Sequence, residues 1–139
     1  MPHPTSAEIA TRIQDLYGAP LADLQAHARD QPPGMLSALL GMQNDLTYAE
    51  QSITLHRDRL ARLVVPEQRF GGHEVSHVLD CARRIAEAVA VRDVQAKTAS
   101  AVLQSLGRVA APEPSPAPAP TVPAAPAPAV PAASAARSR

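Results

Sequence analysis

The sequence has 139 residues, a formal net charge of zero, no tryptophan and a single cysteine. One cysteine excludes a disulfide framework and a four-thiolate zinc site, and a chain without net charge lacks the electrostatic footprint of a general nucleic-acid binder. No apolar run approaches the roughly 18–20 residues that a membrane-spanning helix needs, and the first residues carry no basic and apolar secretory signal. We therefore expect a cytoplasmic protein that binds neither nucleic acid nor membrane.

Two short helices are predicted at the start of the chain. Thr5 and Glu8 have the spacing of a capping box, and apolar residues then recur at helical spacing. Gly18 predicts the end of this first helix. Pro20 favours the first turn of a second helix, which the Pro-Pro-Gly sequence at 32–34 ends.

Two long helices are predicted next, over residues 35–65 and 74–106, and each carries a heptad seam in which steps of three and four residues alternate. The seam of the first of these helices comprises Met35, Leu39, Met42, Leu46, Ala49, Ile53, His56, Leu60 and Leu63. The seam of the second comprises Val75, Val78, Ala82, Ile85, Val89, Arg92, Ala96, Ala99, Leu103 and Leu106. Because a short linker joins two seams of matched length, we predict an antiparallel helical hairpin.

One polar residue interrupts each seam. Facing residues of such a hairpin have numbers that add up to about 138–140, which puts His56 near Cys81 and puts Arg92 near Leu46, where Asp45 could be its ion-pair partner. A single polar residue in a seam sets register and partner choice at some cost in stability, and we expect this role for both. A Cys–His pair is also a nucleophile arrangement, but the sequence supplies no evident oxyanion hole or orienting group for it.

The composition changes sharply near residue 110. Residues 110–139 are almost entirely Ala, Pro, Ser and Val, and alternating prolines remove backbone donors and fix φ. We expect an extended, disordered, polyproline-like tail after a helical domain at residues 1–109. The tail is interpreted as a tether or solubilising segment, or as a ligand for an aromatic-lined groove.

The predicted fold class is all-α. We expect a three- or four-helix bundle in which the two short helices, or a second subunit, pack across the hairpin.

One segment of the chain matches a motif with a chemical mechanism. His73, Glu74 and His77 form an H-E-x-x-H sequence that resembles the signature of zincin metallopeptidases, in which two histidines hold zinc and the glutamate acts as general base. Asp80 and Glu87 are the candidate third ligands. The resemblance covers five residues, and no strand layer is predicted beside the motif. The histidines lie opposite the seam, so we interpret them first as a solvated polar face, second as a zinc site without catalysis, and third as a hydrolase site.

The leading functional hypothesis is a non-catalytic helical protein–protein interaction or adaptor protein, because the seams are unbroken and no catalytic set is assembled. It binds a protein partner or dimerises through its seam. The residues assigned to this interaction are Leu39, Met42, Leu46, Ile53, His56, Leu60 and Arg92. As a further alternative, the hairpin at 35–106 with its Phe70-Gly71-Gly72 turn resembles the small WXG-type secreted helical-hairpin proteins. Phe stands where that family has Trp, and the family's C-terminal Tyr-x-x-x-Asp/Glu signal is absent.

Overall fold

A computed structural model describes residues 2–66, 69–111 and 125–127. This part of the chain contains four α-helices and no strand: α1 (Ser6–Tyr17), α2 (Leu21–Arg29), α3 (Met35–Leu63) and α4 (Gly72–Ala110). The predicted all-α fold, with two short helices before a long hairpin, is confirmed. The predicted ends differ by a few residues: α3 ends two residues earlier than expected, and α4 starts two residues earlier and ends four residues later.

Local sequence signals explain both ends of α1. The backbone N–H of Glu8 donates to the Thr5 hydroxyl at 3.2 Å, and the N–H of Thr5 donates to the Glu8 carboxylate at 2.6 Å. This reciprocal pair is the predicted capping box, and it satisfies two backbone donors that the helix leaves without a partner. Gly18 then ends α1 with φ of +69°, a left-handed conformation that glycine adopts without steric cost.

α3 and α4 pack antiparallel in the predicted register. The Gln95 side chain donates to the Asp45 carboxylate at 3.2 Å across the hairpin, and these two residue numbers add up to 140. The predicted ion pair between Arg92 and Asp45 is wrong. Arg92 instead binds its neighbour Asp93, with 2.8 Å between Nη2 and Oδ1, because Gln95 is the residue that faces Asp45.

The two short helices cover only one half of the hairpin. We call residues 35–50 and 92–110 the base half, and residues 51–64 and 72–91 the tip half. The main core lies entirely in the base half and under α1 and α2, and its buried members are Ile9, Ile13, Leu24, Leu39, Leu40, Leu46, Ala96, Ala99 and Leu103. The chain's own short helices therefore provide the cover that the hairpin needs in its base half.

Two polar contacts fix where α1 lies. The half-buried Glu50 carboxylate of α3 accepts hydrogen bonds from the backbone N–H of Ser6, at 2.8 Å, and from the Ser6 hydroxyl. Further along, Arg12 donates to the Ser100 hydroxyl of α4 at 2.9 Å. Ala96, which has no exposed surface, is small enough to let α1 approach closely. Glu50 and Ser100 therefore mark the side of the hairpin that α1 occupies.

None of the helices in the described ranges combines the length and the apolar character that crossing a bilayer requires. α4 continues through Ala110, and Ala111 is extended. The rest of the predicted tail lies outside the described residues, except for 125–127, which are neither helix nor strand.

Candidate functional site

The two histidines of the H-E-x-x-H segment contact each other on the first turns of α4. Their Nε2 atoms are 3.0 Å apart, and the rings meet edge to face with centroids 4.3 Å apart. Bond lengths of about 2.0–2.1 Å in a tetrahedral zinc site imply roughly 3.3 Å between two ligand nitrogens. The geometry of His73 and His77 therefore suits a shared proton, and a small rotation of either ring makes it suit a shared metal ion.

Glu74, the residue between the histidines, caps the helix. Its carboxylate accepts a hydrogen bond from the backbone N–H of Gly71 at 2.9 Å. Hydrogen bonds from its own backbone N–H and from that of Gly71 hold the pKa of Glu74 below its ordinary value, since they stabilise the charged form. A carboxylate at the first turn also interacts favourably with the helix dipole. The structure thus gives Glu74 a capping contact, and its role as a general base stays a prediction.

The two candidate third ligands are engaged by arginines. Asp80 accepts hydrogen bonds from Arg84 at 3.0 Å and from Arg83 at 3.1 Å, and these bonds lower the pKa of Asp80. Glu87 lies 3.9 Å from Arg83. In the ranges that the structure covers, no three His, Cys, Asp or Glu side chains are grouped so that they could hold a metal ion. The structure therefore brings together two of the predicted ligands and does not add a third.

His56 and Cys81, the second candidate pair, are both buried in the tip half. His56 is 9% exposed and Cys81 is 1% exposed, and the register places them at the same level of the hairpin. The Nδ1 atom of His56 is buried without a hydrogen-bond partner. A buried polar atom in this state destabilises the fold, which is the cost expected of a polar residue that specifies register.

The residues assigned to a partner-binding seam lie largely inside the chain's own packing. Leu39 and Leu46 have no exposed surface, and His56 is buried. The other four are half-buried, namely Met42, Ile53, Leu60 and Arg92. Their part in binding a partner stays a prediction.

An apolar surface that sequence reasoning missed lies in the tip half. Residues separated by whole heptads lie on the same face of a helix, so the face that α1 covers in the base half continues into the tip half. Ile53 and Leu60 follow Leu46 by one and two heptads, and Leu79 precedes Ser100 by three. We call this surface the tip face, and it comprises Ile53, Leu60, Val64, Val75, Leu79, Ala82 and Val89. Its most exposed large side chains are Leu79, Val64 and Val75, with 65%, 48% and 43% of their surface accessible.

One sequence signal could have revealed the tip face. The apolar stripe of α4 is wider at its start, where Leu79 adds to Val75, Val78 and Ala82, than a two-helix seam requires. Arg57 is the one charged residue at the equivalent heptad positions of the tip half. A stripe of this width indicates a surface that packs against more than one helix.

Comparisons with known proteins add no homology argument. No protein-family model, curated protein or solved structure matches this chain.

Proposed function

We propose that this protein is a non-catalytic helical interaction protein that self-associates through its tip face. The observation that supports the proposal is the contrast between the two halves of one apolar stripe. In the base half the stripe is buried under α1, as at Leu46 and Ala96. In the tip half the same heptad positions are half-buried or exposed. Contiguous exposed apolar patches mark interaction sites on soluble proteins.

The chemistry of the tip face fits an apolar helical partner. In the base half, the partner that packs on this stripe is the apolar face of a helix, since α1 contributes Ile9 and Ile13 to the core. A second copy of the hairpin offers the same kind of surface, and two tip halves side by side form a four-helix bundle. The contact is isologous, because the same patch faces itself across a twofold axis.

The size of the tip face sets the expected strength. About fifteen residues at 1.5 Å per residue make a face roughly 22 Å long, and two helices make it roughly 20 Å wide. A face of this size is at the low end of specific interfaces, below about 1,200 Å² of total buried surface. We therefore expect a weak dimer that forms and dissociates with concentration, not an obligate one.

Sedimentation velocity of the full chain, from micromolar to millimolar concentration, tests the proposal. We expect the wild type to shift from monomer to dimer across this range and Leu79→Asp to remain monomeric. Leu55→Asp is the matched control, because Leu55 is 59% exposed and lies on the far side of α3. A wild type that stays monomeric at millimolar concentration overturns self-association. If Leu55→Asp reduces dimerisation as much as Leu79→Asp does, the tip face is not the dimer interface.

Zinc binding is a second candidate function, supported by the convergence of His73 and His77. Two histidine ligands with water completing the shell make a surface site without catalysis. Zinc-dependent hydrolysis requires two further features: a third ligand from Asp80 or Glu87, and a Glu74 carboxylate released from its capping contact.

The resemblance to WXG-type proteins predicts that the uncleaved chain is secreted. Detection of the full-length chain in culture medium tests this hypothesis.

A further inference from the structure

A cleft opens at the base end of the bundle, between the end of α1, α2 and the start of α3. Its volume is about 480 Å³, within the range of about 300–1,000 Å³ that is typical of ligand clefts. Its lining combines apolar side chains with a few polar groups, and includes Tyr17, Leu24, His27, Gln31, Met35 and Leu36. Tyr17 and Met35 are 38% and 49% exposed, so two large side chains in this cleft remain accessible.

The chain leaves the helical body at the same end of the bundle. In the register of the hairpin, Leu106 is level with Gly34, and both Leu106 and Leu36 pack against the main core. Ala111, which follows α4, has φ of −74° and ψ of 131°, close to the polyproline II values of about −75° and +145°. The next residue is Pro112, which disfavours helix at the residue before it. Ala111 thus leaves α4 in polyproline II geometry at the end of the bundle where the cleft lies.

We propose that this cleft binds a polyproline II segment and that its occupant is the chain's own residues 112–123. Their sequence, PEPSPAPAPTVP, has the alternating prolines that favour this conformation. At about 3.1 Å per residue, twelve residues span roughly 37 Å, several times the diameter of about 10–12 Å of the helix that they must pass. The tail can therefore turn back and reach the cleft.

The chemistry of the cleft matches this ligand. A polyproline II segment makes no internal hydrogen bonds, so its carbonyl oxygens need external donors, and the side chains of Tyr17, His27 and Gln31 line the cleft. Proline rings pack on aromatic and apolar surfaces in grooves of this kind, and the preformed conformation lowers the entropy lost on docking. Leu24 and Met35 supply apolar surface. Docking covers Tyr17 and Met35, the two exposed side chains of the cleft.

Methyl NMR of the full chain tests the proposal, because methionine labelling places a reporter in the cleft and another in the core. Met35 lines the cleft, and Met42 packs against the core. We expect the triple variant Pro116→Gly, Pro118→Gly, Pro120→Gly to shift the Met35 methyl signal and to leave the Met42 signal in place. The control carries Pro→Gly changes at positions 126, 128 and 131 and is expected to shift neither.

A second measurement keeps the proposal falsifiable if a variant disturbs the fold. The ¹⁵N relaxation of the Ala117 and Ala119 amides is expected to show restricted motion that Tyr17→Ala releases and Tyr48→Ala does not; Tyr48 is the other tyrosine and is exposed elsewhere. The proposal is overturned if the Met35 signal is unmoved, if the distal proline variant moves it as much, or if both tyrosine variants act alike. A Met35 shift that depends on protein concentration also overturns it, because the occupant is then the tail of a second copy.

Discussion

Replacing His56 by leucine should stabilise this protein, although His56 is one of the few polar residues that the hairpin buries. The side chain is 9% exposed and its Nδ1 atom has no hydrogen-bond partner. Leaving a buried polar group unsatisfied costs about 1–3 kcal/mol. His56→Leu removes that cost, keeps a side chain of similar bulk in the seam, and is expected to raise the free energy of unfolding by about 1–2 kcal/mol.

Urea unfolding of the full chain, followed by the helical circular dichroism signal, measures the change. The midpoint should rise while the m-value stays constant, since the surface exposed on unfolding is nearly the same. In thermal unfolding, each kcal/mol corresponds to about 4–8 °C for a domain near this size. Gln51→Leu, on an exposed position of the same helix, is the control and should change stability by less than about 0.5 kcal/mol.

The reasoning is refuted if His56→Leu leaves stability unchanged or lowers it. Either result means that the folded chain gives His56 a favourable interaction that outweighs the unsatisfied Nδ1. If the variant is more stable but dimerises in more than one form, the polar residue has a role in specificity as well. That result agrees with the function of a polar residue in a heptad seam.

Individual contacts also determine the outcome of three simpler experiments. Ile13→Ala, in the fully buried core, should lower the free energy of unfolding by about 2–5 kcal/mol in urea titration. Glu8→Ala should lower stability at neutral pH: the backbone N–H and the hydroxyl of Thr5 lower the pKa of Glu8, so its contribution is complete above the unfolded pKa of about 4.3 and is lost as pH falls through the lowered value. Calorimetric titration with zinc should show binding that His77→Ala abolishes.

Each of these has a control and a contrary outcome. Leu55→Ala, at an exposed position, should cost less than about 0.5 kcal/mol, and an equal loss at Leu55 and Ile13 contradicts the assignment of the core. A stability difference for Glu8→Ala that persists unchanged into strong acid contradicts the capping contact. If zinc binding survives His77→Ala, the histidine pair is not the zinc site. If the protein binds stoichiometric zinc and shows hydrolysis that depends on Glu74, the hydrolase hypothesis becomes the leading one.

Helix ends were predictable where they depend on near neighbours. The capping box of Thr5 and Glu8 and the left-handed Gly18 involve contacts within four residues, so the sequence contains all that is needed to place them. The start of α4 was misplaced because two glycines favour a turn, whereas the Glu74 carboxylate reaches back to the Gly71 N–H and caps the helix there.

Side-chain partners were harder to predict than helices. The heptad pattern gave the correct register of the hairpin, yet Arg92 binds Asp93 rather than Asp45. Arg92 borders the same cleft as Glu50, whereas Asp45 borders the same cleft as Arg84, and this difference depends on the direction in which each side chain leaves its helix. The partners of the predicted metal ligands were equally hard to predict. The spacing of His73 and His77 places them in contact, but Asp80 forms ion pairs with the arginines three and four residues after it.

The sequence alone determined four helices, their order, and an antiparallel pairing of the two long ones, because caps and heptads are local and periodic signals. Only the tertiary structure decided which side of the hairpin α1 covers. A heptad pattern identifies the stripe that faces the partner helix, and it does not identify the side of the pair on which a third helix packs. The choice comes from individual side chains: Ala96 is small enough for close approach, Glu50 accepts the N–H of Ser6, and Ser100 accepts a hydrogen bond from Arg12. That choice leaves the tip face uncovered.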